Sequence, residues 1–487
     1  MNVPEIDVVV VGAGAAGLAA ALEAQALGAR VVVAESESVV GGASRLSAGM
    51  VIGADTQLQR AAGLEDSPEG LYQEYMLANQ YLIKPGIARR LAYESGPAID
   101  WLRELGVLFF AEPMQGGGER VPRSHVPDGG DLPGGQRVID VLHQRCRERG
   151  VEVALGNHVD RLLQREGAVV GVRAGGDDVE ARAVVLATGG FGANRALIAE
   201  HLPSLAHYGE LVFYIGPDSS RGDALELGRQ VGANTVGHDV YVPLLSPRLD
   251  TREFGAYMPG WLLLLGPDGR RVCDETAPYG QTYGLVRAAG DVAYGVFDAR
   301  TLADNGTPRL PTFKPKFPGG SEGPPNIWTS DAVRRYVDSG AMVEAQTLAE
   351  LANGLGLSEA AVAGAIARYN RLARAGEDRD FGKPADFLRT VETPPFYGVE
   401  IRPSTLGITS YGLEIDDQAH VLDPCSNEIE GLFAAGECAG GILGTRYAGS
   451  GNSWANCLVF GRVAGRSAAA YALREGRPSG ELRAQEV

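Results

Sequence analysis

"IDVVVVGAGAAGLAAALEAQALGARVVVAE", Ile6 to Glu35, opens with an unbroken apolar run, passes through a glycine turn into Ala/Leu helix formers, and returns to an apolar run at Val31 to Ala34. A strand buried on both faces reads as a continuous apolar run rather than an alternation, so the stretch predicts a parallel βαβ unit of roughly thirty residues. Gly12, Gly14 and Gly17 stand at G-x-G-x-x-G spacing. The first glycine permits the tight turn, the second the approach of a pyrophosphate, and the third the packing of helix on strand. Glu35, ending the second strand, is placed to accept hydrogen bonds from a ribose. The expected ligand is a dinucleotide.

Two further segments repeat the scheme. "GVEVALGNHVDRLLQREGAVVGVRAGGDDVEARAVVLATGGFG" (Gly150 to Gly192) and "IEGLFAAGECAGG" (Ile429 to Gly441) each end an apolar strand on a glycine turn. Ligands of open α/β sheets lie at such strand ends, so N-terminal, middle and C-terminal segments are expected to share one site. Between about His238 and Tyr397 the character changes to a Pro-rich connection, "TPRLPTFKPKFPGGSEGPP" (Thr307 to Pro325), and amphipathic helical pieces such as "LSEAAVAGAIARYNRLARAG" (Leu357 to Gly376). This stretch reads as an insertion. The expected division is 1–238 and 398–487 for the nucleotide-binding domain and 239–397 for the inserted one. The fold class is α/β: a split Rossmann-like domain carrying an α+β insertion.

With 487 residues the chain exceeds what one core usually supports, and two or three domains are expected. The net charge of −17, from 44 Lys+Arg against 61 Asp+Glu, argues against nucleic acid or an anionic membrane surface as partner. Apolar runs fall short of the roughly 18 residues a membrane helix needs, no basic leader precedes the first strand, and the five cysteines form no C-x-x-C or paired framework. A cytoplasmic protein with reduced thiols is expected. The seven histidines show no ligand spacing, and no metal is expected.

Beyond these readings, the succession of the Ile6 to Glu35 unit, "GGASRLSAGM" (Gly41 to Met50), "RSHVPDGG" (Arg123 to Gly130), "VVLATGGFG", "GDALELGRQVGA" (Gly222 to Ala233), "GRRVCDETAPY" (Gly269 to Tyr279) and "GLFAAGECAGG" followed by "VFGRVAG" resembles the fumarate reductase and 3-ketosteroid dehydrogenase superfamily of FAD enzymes. The resemblance implies an FAD domain split by a capping domain, with substrate between cap and isoalloxazine. It implies FAD contacts at Gly12, Gly14, Ala15, Gly17, Glu35, Gly42, Ala43, Ser44, Ser47, Val159, Thr188, Gly189, Gly436, Glu437, Asn452 and Ser453. The succinate dehydrogenase branch attaches its flavin to a histidine after the second strand; "GGASRLSAG" has none, which implies non-covalent FAD.

Within the superfamily, fumarate reductases typically bind substrate carboxylates through His-His-Thr-x-Gly-Gly and deliver a proton from an arginine after a G-K-R-F-x-N-E motif. Here "GITSYG" (Gly407 to Gly412) keeps Thr409 and Gly412 without the histidines, and Tyr279 replaces the arginine. The pattern resembles the ketosteroid dehydrogenases, in which one tyrosine follows the N-E motif and another stands four residues before a glycine. The resemblance implies that Tyr447 and the Gly451 N–H bond the ketone oxygen while Tyr279 acts as base, giving an enone with hydride passing to the flavin. Arg446 matches the reductases' carboxylate-gripping arginine, so the implied substrates include small keto acids such as 4-oxocyclohexanecarboxylate as well as 3-ketosteroids. Tyr411 is a candidate pocket residue. The implied partners are the cyclic ketone and an external acceptor, a quinone or another carrier.

Structural roles compete at several of these positions. Tyr279 beside Pro278 suits a packed turn aromatic, Arg446 an ion pair or a flavin contact, and Tyr411 the core. Arg123 and His125 suit domain packing or the FAD side. The competing functions are a reductase of an unsaturated carboxylate and a non-catalytic FAD electron-transfer protein.

Overall fold

The computed structural model describes residues 5–247, 258–312, 328–444 and 446–475. Most of the Pro-rich connection, from residue 313 to 325, lies outside the described residues. Strands β1 (Ile6–Val11), β2 (Val31–Glu35), β3 (Glu152–Leu155), β4 (Asp177–Leu186) and β5 (Glu428–Ala434) form a parallel sheet in the order β5-β4-β1-β2-β3. Strand His420–Leu422 pairs antiparallel with β5, and the hairpin of Val159–Arg165 and Ala168–Ala174 is paired antiparallel to β4. The most apolar strand takes the centre: Val8 and Val10 of β1 are wholly buried.

Helix α1 (Ala15–Ala26) follows the glycine turn, and α2 (Asn452–Glu475) packs along it. Glycines make that packing possible. A Cβ at Gly461 would stand 2.5 Å from the Ala16 carbonyl oxygen, and one at Gly465 2.2 Å from that of Ala20, so the two backbones approach more closely than side chains permit. At the rim, Arg462 Nε donates to Glu23 Oε1 at 2.8 Å. The glycines of "VFGRVAG" therefore serve helix packing.

The chain divides into two compact units, one of Met1–His207, Gly216–Val242 and Ile408–Val487, the other of Tyr208–Ile215 and Pro243–Gly407. The second unit carries a sheet with the strand order Tyr241–Pro247, Phe396–Thr409, Ala293–Asp298, Leu263–Leu265, of which the last three pair antiparallel. Trp261, Phe297 and Trp328 meet edge to face at its core, with centroids 5.3 to 6.2 Å apart. Helix Glu359–Ala375 is capped by Ser358 and closed by left-handed Gly376, within the stretch where periodicity places it. A division at residue 397 falls inside Phe396–Thr409, whose pairing carries the second unit through Gly407. The excursion Tyr208–Ile215 joins the same unit because Phe213 and Tyr214 pair with Thr405 and Leu406.

Candidate active site

At the carboxyl ends of β1, β2 and β4, a cleft of about 810 Å³, open to solvent, surrounds the start of α1. Its lining includes Gly12, Gly14, Ala15, Glu35, Gly42, Ala43, Ser44, Val159, Thr188, Gly189, Gly436 and Glu437, so all three glycine-turn segments reach it. Gly17, Ser47, Asn452 and Ser453 are not part of this lining. The sequence reading omitted Asn157, His158, Pro217, Ser219, Ser220 and Asp223, which also face the cleft. Asn157 and His158 directly precede Val159 and Asp223 opens "DALELGRQ", but the segment from Pro217 to Ser220 carries no strand or glycine-turn signal.

The three motif glycines have distinct environments. Gly12 has φ +104°, and a Cβ there would lie 2.5 Å from the Ala187 carbonyl oxygen. Gly17 carries the helix onto the turn: its Cβ would fall 1.9 Å from the Gly12 oxygen. Gly14 has an ordinary extended φ of −75°, and nothing in the protein comes nearer than 4.0 Å to a Cβ built on it. Only a ligand gives that position a reason to lack a side chain. Gly14 caps α1 without a side-chain bond, and the Ala15 N–H makes a long 3.4 Å bond to Ser44 Oγ. Ala15 and Ala16 line the cleft at the positive end of the helix dipole, where an anionic pyrophosphate is stabilised.

Polar groups complete the cradle. Glu35 Oε1 accepts the Glu37 N–H at 2.9 Å and the Ser36 hydroxyl at 3.3 Å, while Oε2, among the described residues, accepts only the Ala13 N–H at 2.7 Å and keeps a lone pair for a ribose. The buried Thr188 hydroxyl has no hydrogen-bond partner among the described residues. Glu437 accepts from the Thr409 N–H and hydroxyl at 2.9 and 2.8 Å, while desolvation holds its carboxyl above the usual range. Thr409 is thus spent on Glu437. The empty space at Gly14, the unsatisfied hydroxyl and the helix start all fit FAD.

A second group of residues lies where the chain enters α2. Tyr447 Oη accepts the Ser453 N–H at 3.0 Å. Gly451 has φ +101°, and a Cβ there would be 2.6 Å from the Ile52 nitrogen. The Gly451 carbonyl accepts from Ile52 N–H at 3.2 Å. Asn452 donates to Tyr75 Oη at 3.1 Å, while its own amide oxygen is buried and unpartnered among the described residues. Ser47 accepts from Trp454 Nε1 at 2.8 Å. Arg446 is half-buried, its backbone N–H is bonded to Asn79 Oδ1 at 2.8 Å, and its guanidinium makes no hydrogen bond or ion pair among the described residues.

Tyr411 stacks on His201 with centroids 4.1 Å apart, meets Phe191 and His238 edge-on, and is bonded through its hydroxyl to Thr235 at 2.7 Å. Tyr279 belongs to the second unit, half-buried at the first position of helix Tyr279–Ala288 behind Pro278. The strand turn before it is tied by buried charges. Arg271 bonds Glu275 through two nitrogens at 2.9 and 2.7 Å and pairs with Asp378 at 2.8 Å; Lys383 stands 3.2 Å from Glu275. Burial alone would raise the Glu275 carboxyl, but Lys383 and Arg271 overcome it and hold it below the usual range.

Arg123 and His125 are structural. Arg123, 1 % exposed, bonds Asp66 through two nitrogens at 2.8 and 2.7 Å and Glu74 at 2.6 Å. His125 lies between Thr56 Oγ1 and the Arg123 carbonyl, at 2.8 Å from each, and burial pushes it down to about 4.

A family model described as an FAD binding domain matches residues 7–454. The chain belongs to this FAD-binding family. It is 30% identical over 476 residues to a fumarate reductase (cytochrome) of Shewanella frigidimarina, covering 96% of this chain and 77% of that one. A urocanate reductase of Eggerthella lenta is also 30% identical, over 96% of this chain and 75% of its own. Among solved structures, the 3-ketosteroid-delta4-(5alpha)-dehydrogenase from Rhodococcus jostii in complex with 4-androstene-3,17-dione superposes with a TM-score of 0.78 at 28% identity, over 96% of this chain and 97% of that one. This FAD-binding chain is an oxidoreductase of the fumarate reductase and ketosteroid dehydrogenase kind. No helix among the described residues is long and apolar enough to cross a membrane.

Proposed function

We propose that the protein is an FAD-dependent dehydrogenase that introduces a C=C bond beside the carbonyl of a cyclic ketone, either a 3-ketosteroid or a smaller cyclohexanone-type ring. The observation that carries the reading is the pair of tyrosines, Tyr279 and Tyr447, with Tyr279 standing where the resembling reductases carry arginine. The Tyr447 oxygen already accepts the Ser453 N–H, and accepting one bond strengthens a hydroxyl as donor of another. Donation from Tyr447 and from the Gly451 N–H to the ketone oxygen would stabilise the enolate as the neighbouring C–H loses its proton. Tyr279 Oη would take that proton. FAD, when bound, supplies the two-electron chemistry by accepting hydride from the β-carbon. The electrons then leave to an external acceptor such as a quinone.

A second reading, reduction of an unsaturated carboxylate, is favoured by Arg446 and by the activities named for the curated relatives. A guanidinium binds a carboxylate through two parallel N–H bonds. A keto acid on one small ring would use Arg446 and Tyr447 together. Anaerobic mixing of the yellow holoprotein separates the readings. Bleaching by a saturated cyclic ketone is the expected result; reoxidation of chemically reduced protein by an unsaturated acid, without bleaching by any ketone, supports the second reading.

A further inference from the structure

We infer that Tyr75 and Asn79 form a clamp that sets the backbone register of loop residues 442–444 and 446–452, and that both are positioning residues for Arg446 and Tyr447. The inference rests on the reading of that loop as the substrate loop. Tyr75 and Asn79 lie one turn apart at the end of helix Pro68–Ala78, 2 % and 0 % exposed. Tyr75 Oη donates to the Ile442 carbonyl at 2.7 Å and accepts from Asn452 Nδ2 at 3.1 Å. Asn79 Oδ1 accepts the Arg446 N–H at 2.8 Å, and its Nδ2 donates to the Tyr75 carbonyl at 3.1 Å. Both ends of the turn that presents Arg446 are therefore held from outside it, and the same phenol fixes the first residue of α2.

The fit leaves no room for slack. Gly444 has φ +66°, and a Cβ there would be 2.2 Å from Asn79 Oδ1 and 2.5 Å from Ile83 Cδ1. After Asn79 the chain reverses through Gln80 and Tyr81, two consecutive non-glycine residues at φ +53° and +60°. Such backbone persists only where the surroundings over-determine it. The helix ends in this conformation with the Asn79 amide seated over Gly444. Burial without an exchange of bonds to water makes each of these contacts costly to leave unmade. Arg446 reaches its site through its backbone, so a shift of about 1 Å in this turn is enough to cost on the order of 100-fold in turnover.

The test uses the FAD-loaded full chain, with Asn79→Ala and Tyr75→Phe as separate variants; the second preserves the ring and keeps the claim testable if the first does not fold. Backbone hydrogen exchange across residues 442–452 should quicken by about fivefold or more in each variant, while residues 12–26 exchange as in the wild type. With whichever substrate class the wild type turns over, kcat/KM should fall by roughly 10- to 100-fold at unchanged FAD content. Wild-type exchange across 442–452 in the variants would overturn the clamp. Faster exchange with unchanged kcat/KM would make the pair structural and overturn the positioning role. A wild type that turns over neither class overturns the functional reading alone, and the exchange result still decides the clamp.

Discussion

The cleft at the start of α1 and the loop leading into α2 use opposite means to hold a ligand. The cleft is mainly backbone: glycine turns at three strand ends and the start of α1, with Glu35 as the carboxylate placed for a ribose, all at the edge of the sheet formed by β1 to β5. The loop is side chain, and its register depends on bonds such as Asn79 to Arg446 that span 367 positions of sequence. A backbone cradle binds what all relatives share, the FAD, whereas a side-chain loop is free to vary with substrate. The glycine turn should therefore fail by steric collision, and the loop by misplacement of intact chemistry.

The largest effect is expected within the turn itself. Gly17→Val drives a side chain into the Gly12 carbonyl, where even a Cβ would sit at 1.9 Å, so no folded, yellow protein should be recovered. Gly14→Ala meets nothing in the protein within 4.0 Å, so the apoprotein should melt as the wild type does while FAD binding weakens. Calorimetry and a flavin titration check both. Equal damage from the two substitutions would erase the distinction between packing glycine and ligand glycine.

Lys383→Met asks whether the Tyr279 turn is held as rigidly as the cleft. It leaves Glu275, with 0 % side-chain exposure, with Arg271 as its remaining charge partner and the Leu264 N–H as its backbone donor. Breaking a buried charge network in this way costs about 3–5 kcal/mol, and a denaturant titration should show that loss. An unchanged midpoint would mean that the network does not anchor the turn.

His125, buried between Thr56 and the Arg123 carbonyl outside the cleft lining, offers a test by pH. Its pKa falls from 6.5 to about 4 in the fold, so the folded chain binds fewer protons than the unfolded one between those values. Its contribution is complete above about pH 6.5 and is lost as pH falls, by about 3 kcal/mol in total. The wild type should lose that much more stability than His125→Asn between pH 7 and 4. Parallel curves would show that the buried imidazole does not set the acid limit.

How much of this was legible in the sequence follows the same contrast. The sheet, α1 and the glycine roles were readable from Ile6 to Glu35 because the signals are periodic and local. The strand pairing that carries the second unit through Gly407 was not, since the pairing of Phe213 and Tyr214 with Thr405 and Leu406 leaves no local mark. Tyr447 stood out by motif, but Tyr75 and Asn79 look like ordinary helix residues. Their partners become visible only in space. Likewise Ser219 and Ser220 face the cleft from a stretch with no periodic signature.

A smaller effect sharpens the loop's chemistry. Arg446→Leu should raise KM for a cyclic keto acid by the equivalent of about 1.5–3 kcal/mol, the usual range for a hydrogen bond to a charged group, and leave the uncharged ketone nearly unaffected. Equal effects on the two substrates would make the arginine structural.

The most direct measurement is anaerobic stopped-flow reduction of the flavin by a saturated cyclic ketone in wild type and Tyr279→Phe. The variant keeps the aromatic ring behind Pro278, so FAD content and melting should match the wild type. With the positioned base gone, the bleaching rate should fall about 100- to 10,000-fold. A variant that bleaches at the wild-type rate with every ketone the wild type accepts would contradict the assignment of the base and, with it, the desaturation reading.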